Sequence, residues 1–154
     1  MEIKEKEQVP PILERLRAGV IDGWWTVFRM LKFVLPLYII VDLCKAYGLI
    51  DSLGQWCTPF MALFGLPGET SFAFIAAALV NLYAAIAVLA PLDLTPWQVT
   101  QCGVMMGIAH NLVLEGGVLS STGARGGILT LCRILLAVLA GWLMMALQWL
   151  GVAG

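Results

Sequence analysis

Asp42, Glu69, His110 and Glu115 are ionisable groups set in or beside strongly apolar runs of a 154-residue chain. Holding such a group in hydrocarbon costs at least about 2.5 kcal/mol at a helix centre, so each needs a partner or water. Asp42 and Lys45 stand three apart, the spacing of an ion pair on one helix face. Glu69 follows the Pro67-Gly68 break and precedes Thr70 and Ser71. That order puts it at the start of a half-helix, where the amides of Glu69, Thr70 and Ser71 can hold an anion or polar ligand and the carboxylate can accept from it. The plainer alternative is a helix-capping glutamate in a wet loop. Asn81 interrupts an apolar run, and its amide either reads the donors and acceptors of a heterocycle or ties two helices together. His110 and Glu115 would point about 140° apart on an unbroken helix, so they converge only if the chain unwinds, as the glycines from Gly116 suggest. Gly68, Glu69, Thr70, Ser71, Asn81, His110, Asn111 and Glu115 are therefore the candidate solute contacts.

No nucleophile-and-base pair, phosphate-cradling glycine loop or pair of catalytic carboxylates is present, so no catalytic residue is assigned and an enzyme is not expected. One histidine and one glutamate make no metal set. The cysteines Cys44, Cys57, Cys102 and Cys132 form no CxxC pair and read as small buried packing residues, so no metal and no cofactor are expected.

These polar groups sit in an unusually apolar chain: 60% of the residues are hydrophobic, 12% are charged and the mean hydropathy is +0.89. A soluble domain could not clothe its surface with so few charges, so the expected fold is an all-α polytopic membrane bundle spanning a lipid bilayer. Six of the nine Lys and Arg (Lys4, Lys6, Arg15, Arg17, Arg29 and Lys32) precede residue 33, and none lies between Ser52 and Ala124. Nucleic acid is thus not an expected partner. The same bias places the amino terminus in the cytoplasm of a bacterial inner-membrane protein.

Residues 1–9 read as a solvated tail. Ile12, Leu13, Leu16, Val20 and Trp24 recur at helical spacing, as in a helix lying at the membrane surface or an extension of the first span. Residues 1–27 thus form a tail and interfacial helix, and residues 28–154 the transmembrane domain. Its first crossing runs from Phe28 to Ile50, with a kink expected at Pro36. The next apolar stretch breaks at Gly65, Pro67 and Gly68, and the arm from Thr58 to Phe64 is too short to cross a core of about 30 Å. A re-entrant helical hairpin over residues 56–90 fits, which would leave Arg125 and Arg133 on the cytoplasmic side. Thr95 and Pro96 open a further helix. Residues 116–127 read as a flexible linker, and Ile128 to Leu150 as a final crossing whose Ala137 and Gly141 form a flat packing face.

The segments MALFGLPGETSFAFIAAALVNLYAAIAVLA and HNLVLEGGVLSSTGA resemble the nucleoside recognition, or Gate, domain of bacterial inner-membrane proteins of the spore maturation protein A and B type. Concentrative nucleoside transporters carry the same domain type. The resemblance covers roughly residues 49–150. It implies transport or sensing of a small polar solute, with Gly68 to Ser71 as the hairpin tip and Asn81, His110 and Glu115 as further contacts. Gly68 stands where the transporters usually have Gln, and there is one hairpin where a full transporter has two repeats. Transporter sites form between repeats, so the chain is expected to act as a half-transporter, pairing as a parallel homodimer or with a sister Gate subunit. The alternative is a non-transporting membrane module that assembles with, or regulates, a partner membrane protein.

Overall fold

The structure, a computed structural model, describes residues 11–151. The expected tail at residues 1–9 lies outside them. Among the described residues seven α-helices follow in order: α1 (Ile12–Ala46), α2 (Leu49–Met61), α3 (Thr70–Leu79), α4 (Leu82–Leu89), α5 (Pro96–Ile108), α6 (Leu112–Ser121) and α7 (Gly126–Trp149). A 3-10 turn, Ala62–Phe64, extends α2, and no strand occurs among the described residues. The bundle is all-α, as the composition required.

The chain divides at residue 33 into two units. In the first, residues 12–33 are helical, with Ile12, Leu13, Leu16, Val20, Trp24 and Trp25 exposed and the Trp24 and Phe28 rings 5.7 Å apart.

In the second unit α1 runs through Pro36 without interruption to Ala46. It stops there because Gly48 adopts φ 70°, a left-handed conformation that glycine takes without steric cost. Leu49 and Ile50, expected to end the first crossing, instead begin α2, and the arm before the Gly65 break is Leu49–Phe64 rather than Thr58 to Phe64. Gly65, at φ 67°, then turns the chain, and residues 65–68 fold back along α2 until Gly68 lies against Gly54 and Thr58.

The expected break is real, and a second one was not expected. α3 ends at Leu79, and Asn81 reopens the chain as the cap of α4, its Oδ1 accepting from the Ala84 amide at 2.8 Å. α3 and α4 pack side by side. Lys45 Nζ donates to the Pro91 carbonyl at 2.6 Å and pairs with Asp93 at 2.7 Å, and Lys45 and Asp93 both lie within electrostatic reach of Glu69. The end of α4 has therefore returned to the level where α3 began. Ten and eight residues make rods of about 15 and 12 Å, each too short to cross a core of about 30 Å, and α3 and α4 form a helical hairpin with its elbow at Val80–Asn81. Small residues permit the close approach: Ala73, Ala77, Ala84, Ala85 and Ala87 are buried. Lys45 meets Asp93 across the fold rather than Asp42 along its own helix, and Asp42 is exposed.

Among the described residues, two helical stretches are long and apolar enough to cross a membrane: Pro96–Ser121, which joins α5 and α6 through a break, and Gly126–Trp149. α5 opens as expected, with a capping box between Thr95 and Gln98 and Pro96 in the first turn. α7 packs on α5 through Ala137 and Gly141, both buried, and a Cβ on Gly141 would strike Met105 and Phe64 within 2.8 Å. Residues 116–127 are not a linker. α6 continues to Ser121 and only residues 122–125 connect it to α7. The glycines there are packing positions, Gly116 against Thr130 and Gly126 against Gly116 and Ser120. The cysteine reading needs one correction: Cys102 is buried and Cys44 and Cys57 are half-buried, but Cys132 is exposed on α7.

Gln101 joins the parts. Its side chain is 1% exposed, and Nε2 donates to the Phe64 carbonyl at 2.8 Å and the Gly141 carbonyl at 3.1 Å. One amide therefore fixes the end of the 3-10 turn to both long helices. Gln101→Leu keeps the volume but strands the Phe64 carbonyl, with an expected loss of about 1–3 kcal/mol in reversible unfolding in detergent.

Candidate functional site

The candidate residues separate into two groups, about 12 Å apart along α3 if measured from Glu69 to Ala77. At the entry to α3, Gly68, Thr70 and Ser71 are buried and Glu69 is half-buried. Two of the three amides expected to hold an anion are occupied: Thr70 N donates to Pro67 O and Ser71 N to Gly68 O, each at 3.1 Å. Thr70 Oγ1 donates to Pro67 O at 2.6 Å. The tight turn satisfies the Thr70 and Ser71 amides itself, and the Glu69 amide lies against Gly54 of α2, so this helix start is no open anion cradle. Glu69 makes no side-chain cap, and Asp51, Lys45 and Asp93 are the charged groups acting on it. Ser71 Oγ is buried without a partner.

The second group forms where α5 breaks into α6, near the middle of the Pro96–Ser121 stretch. Asn111 has φ 49°, the one left-handed non-glycine among the described residues and a conformation asparagine tolerates better than most. The break exposes the Asn111 amide, which donates to the Ala77 carbonyl at 2.8 Å. Ala77 O is free to accept because α3 ends in a widened, π-type turn. Val80 N and Asn81 N both donate to Ala76 O, at 2.9 and 3.1 Å, so the usual partner of Ala77 is diverted. Two interrupted helices thus meet through the backbone groups that their interruptions released.

The break also gathers charge. His110 Nε2 and Glu115 Oε1 are 3.7 Å apart, so the pair does converge. The cause is the unwinding at Ala109–Asn111, ahead of both the glycines and Glu115, and not unwinding at Gly116, which is helical. From α7, Arg133 Nη1 pairs with Glu115 Oε2, Nε donates to Ile108 O at 2.8 Å, and Nη2 donates to His110 O at 3.0 Å. A cation on the carbonyls that end α5 is favourable by charge and dipole alike. Arg133 was read only as a topology marker. Its place within an apolar crossing, where a buried cation demands an anion, was the signal for its role at the site. Since it is engaged inside the bundle, it cannot be counted as a loop charge in setting orientation.

Asn81, His110, Asn111 and Glu115 therefore belong to two breaks joined at Ala77, whereas Gly68 to Ser71 sit a helix length away. The Gate family, described as nucleoside recognition, matches residues 27–153. The uncharacterised membrane protein YvoD of Bacillus subtilis (strain 168) is 35% identical over 123 residues, covering 80% of this chain and 39% of YvoD. The inner membrane protein YjiG of Escherichia coli (strain K12) is 41% identical over 49 residues, 32% of each chain. The matches thus span well under half the length of either relative. No solved structure matches the chain significantly. An all-helical bundle of this apolarity, with interrupted helices meeting inside it and that family match over most of its length, is a membrane protein of the Gate family.

Proposed function

We propose that this chain is a transporter subunit that binds a small polar solute where the Val80–Asn81 elbow meets the α5–α6 break. The observation that carries the reading is the bond from Asn111 N to Ala77 O beside the Glu115, His110 and Arg133 cluster. Broken backbone and charge within a crossing are tolerated where they line a cavity or meet protein, and interrupted helices are where membrane transporters bind their cargo. Binding rather than catalysis is the proposed role, and the family's description makes a nucleoside-like solute the first to try. One hairpin cannot enclose a solute from two sides, so the working unit is a parallel homodimer or a pair with a sister Gate subunit. The basic residues before position 33 orient it in a bacterial inner membrane with a cytoplasmic amino terminus.

Uptake of labelled nucleosides into proteoliposomes tests this, with the chain alone and with a co-expressed sister subunit. Glu115→Gln is expected to lower apparent affinity roughly tenfold to hundredfold through loss of a charge-assisted hydrogen bond. Glu69→Gln should do less, since Glu69 lies at the other end of α3. Uptake unaffected by Glu115→Gln would remove this break from the pathway. A second reading is a non-transporting module serving a partner membrane protein. It predicts a co-purifying membrane partner and no flux of any solute.

A further inference from the structure

His110 Nδ1 lies 2.8 Å from the Gly107 carbonyl, which can only accept, so Nδ1 carries the hydrogen. The neutral ring then turns the lone pair of Nε2 outward, and what it faces is Glu115 Oε1, 3.7 Å away. That distance is beyond a hydrogen bond, and neither atom has a hydrogen to offer the other. Glu115 Oε2 is already held by Arg133, so Oε1 is the unspent half of the carboxylate. The charged groups facing the imidazole are Glu115 on α6 and Arg133 on α7, while α3 has no ionisable side chain between Thr70 and Leu79. Arg133 Nε, Nη1 and Nη2 each donate to an acceptor of the chain itself, Ile108 O, Glu115 and His110 O, which uses three of the guanidinium's five N–H bonds.

Resting on the reading of this break as the solute site, we propose that His110 Nε2 and Glu115 Oε1 form a two-acceptor slot closed by a positively polarised hydrogen, supplied by a proton or by an N–H or O–H of the solute. The slot selects neutral or cationic solutes rich in donors. A phosphate or carboxylate placed there would set lone pairs against lone pairs.

His110 is the chain's one histidine, so protein labelled with 15N-histidine gives a single pair of ring signals. In lipid nanodiscs at about pH 8, where an ordinary imidazole is neutral, the expected spectrum shows a protonated Nδ1 and a bare Nε2. Lowering the pH to about 5 should move Nε2 to its imidazolium position if the proton closes the slot. Adenosine added at the higher pH should instead shift Nε2 as a hydrogen-bond acceptor, without protonation, if the solute closes it. In Glu115→Gln the effective agent should lose its effect. Adenosine 5′-monophosphate should produce no shift at the higher pH. An Nε2–H tautomer in the unmodified protein, or an Nε2 signal indifferent to both acid and adenosine, overturns the proposal. A responding histidine in a protein that moves no solute would leave the slot standing and remove transport. A silent one in an active transporter does the reverse.

Discussion

Gly68→Ala is expected to abolish most of the folded yield, with a stability loss of about 3 kcal/mol or more in the material that survives, at or above the usual range for overpacking. A Cβ on Gly68 would fall onto the Gly54 carbonyl and within 2.6 Å of Thr58 Oγ1. The Thr58 hydroxyl can rotate away. The carbonyl cannot, because it belongs to α2 and already accepts from Thr58 Oγ1 at 3.2 Å. Relief would require α2 and the α3 turn to part, and Gly54, whose own Cβ would meet Glu69 at 2.9 Å, shows that the approach is close from both sides. Gly117→Ala is the control. Nothing lies within 4 Å of its Cβ, and a helical Gly→Ala change should gain about 0.5–1 kcal/mol. The two variants, compared by reversible unfolding in mild detergent, should move in opposite directions. Equal behaviour would mean that the turn does not pack on α2.

Arg133→Ala is expected to be the other severe change, at about 3 kcal/mol, because it leaves Glu115 without its cation and two carbonyls without a donor. The side chains are 24% and 38% exposed, so the loss should fall toward the low end of values for breaking fully buried pairs. Removing both charges is the informative comparison. Arg133→Leu with Glu115→Leu leaves no orphaned ion and should recover much of the stability, whereas Glu115→Leu alone leaves a half-buried guanidinium without its anion. Unfolding of the unmodified chain, Arg133→Leu, Glu115→Leu and the double variant gives the coupling energy directly. A coupling near zero would show that Arg133 serves only the carbonyls that end α5.

The final crossing illustrates how much could be read in advance. Residues 128–150 were expected to span, and α7 occupies Gly126–Trp149 with Ala137 and Gly141 on its packed face, since apolarity and small-residue spacing are properties of the local string. The cap at Thr95 and the break at Gly65 to Gly68 were legible for the same reason. Asn81 was harder: it was noticed as a polar intruder, but whether it would contact a solute, bind another helix or start a new one depended on where the chain was heading. Gly116, Gly126 and their neighbours were misread as a flexible connection because glycine looks the same in a loop and at a tight contact. Only the opposing helix, with Thr130 and Ser120, tells the two apart.

What the amino-acid string determined by itself was the environment and the elements: an all-helical membrane chain, its interruptions, and a short set of polar residues that hydrocarbon would not tolerate unpartnered. Those follow from transfer free energy and backbone sterics, which act residue by residue. The tertiary structure alone decided who meets whom. It sent Lys45 to Asp93 rather than Asp42, brought Arg133 from α7 to Glu115, and joined Asn111 to Ala77 across two breaks. Such pairings depend on which unsatisfied groups are left facing each other once the helices have packed, and residues far apart in sequence carry no local trace of that choice.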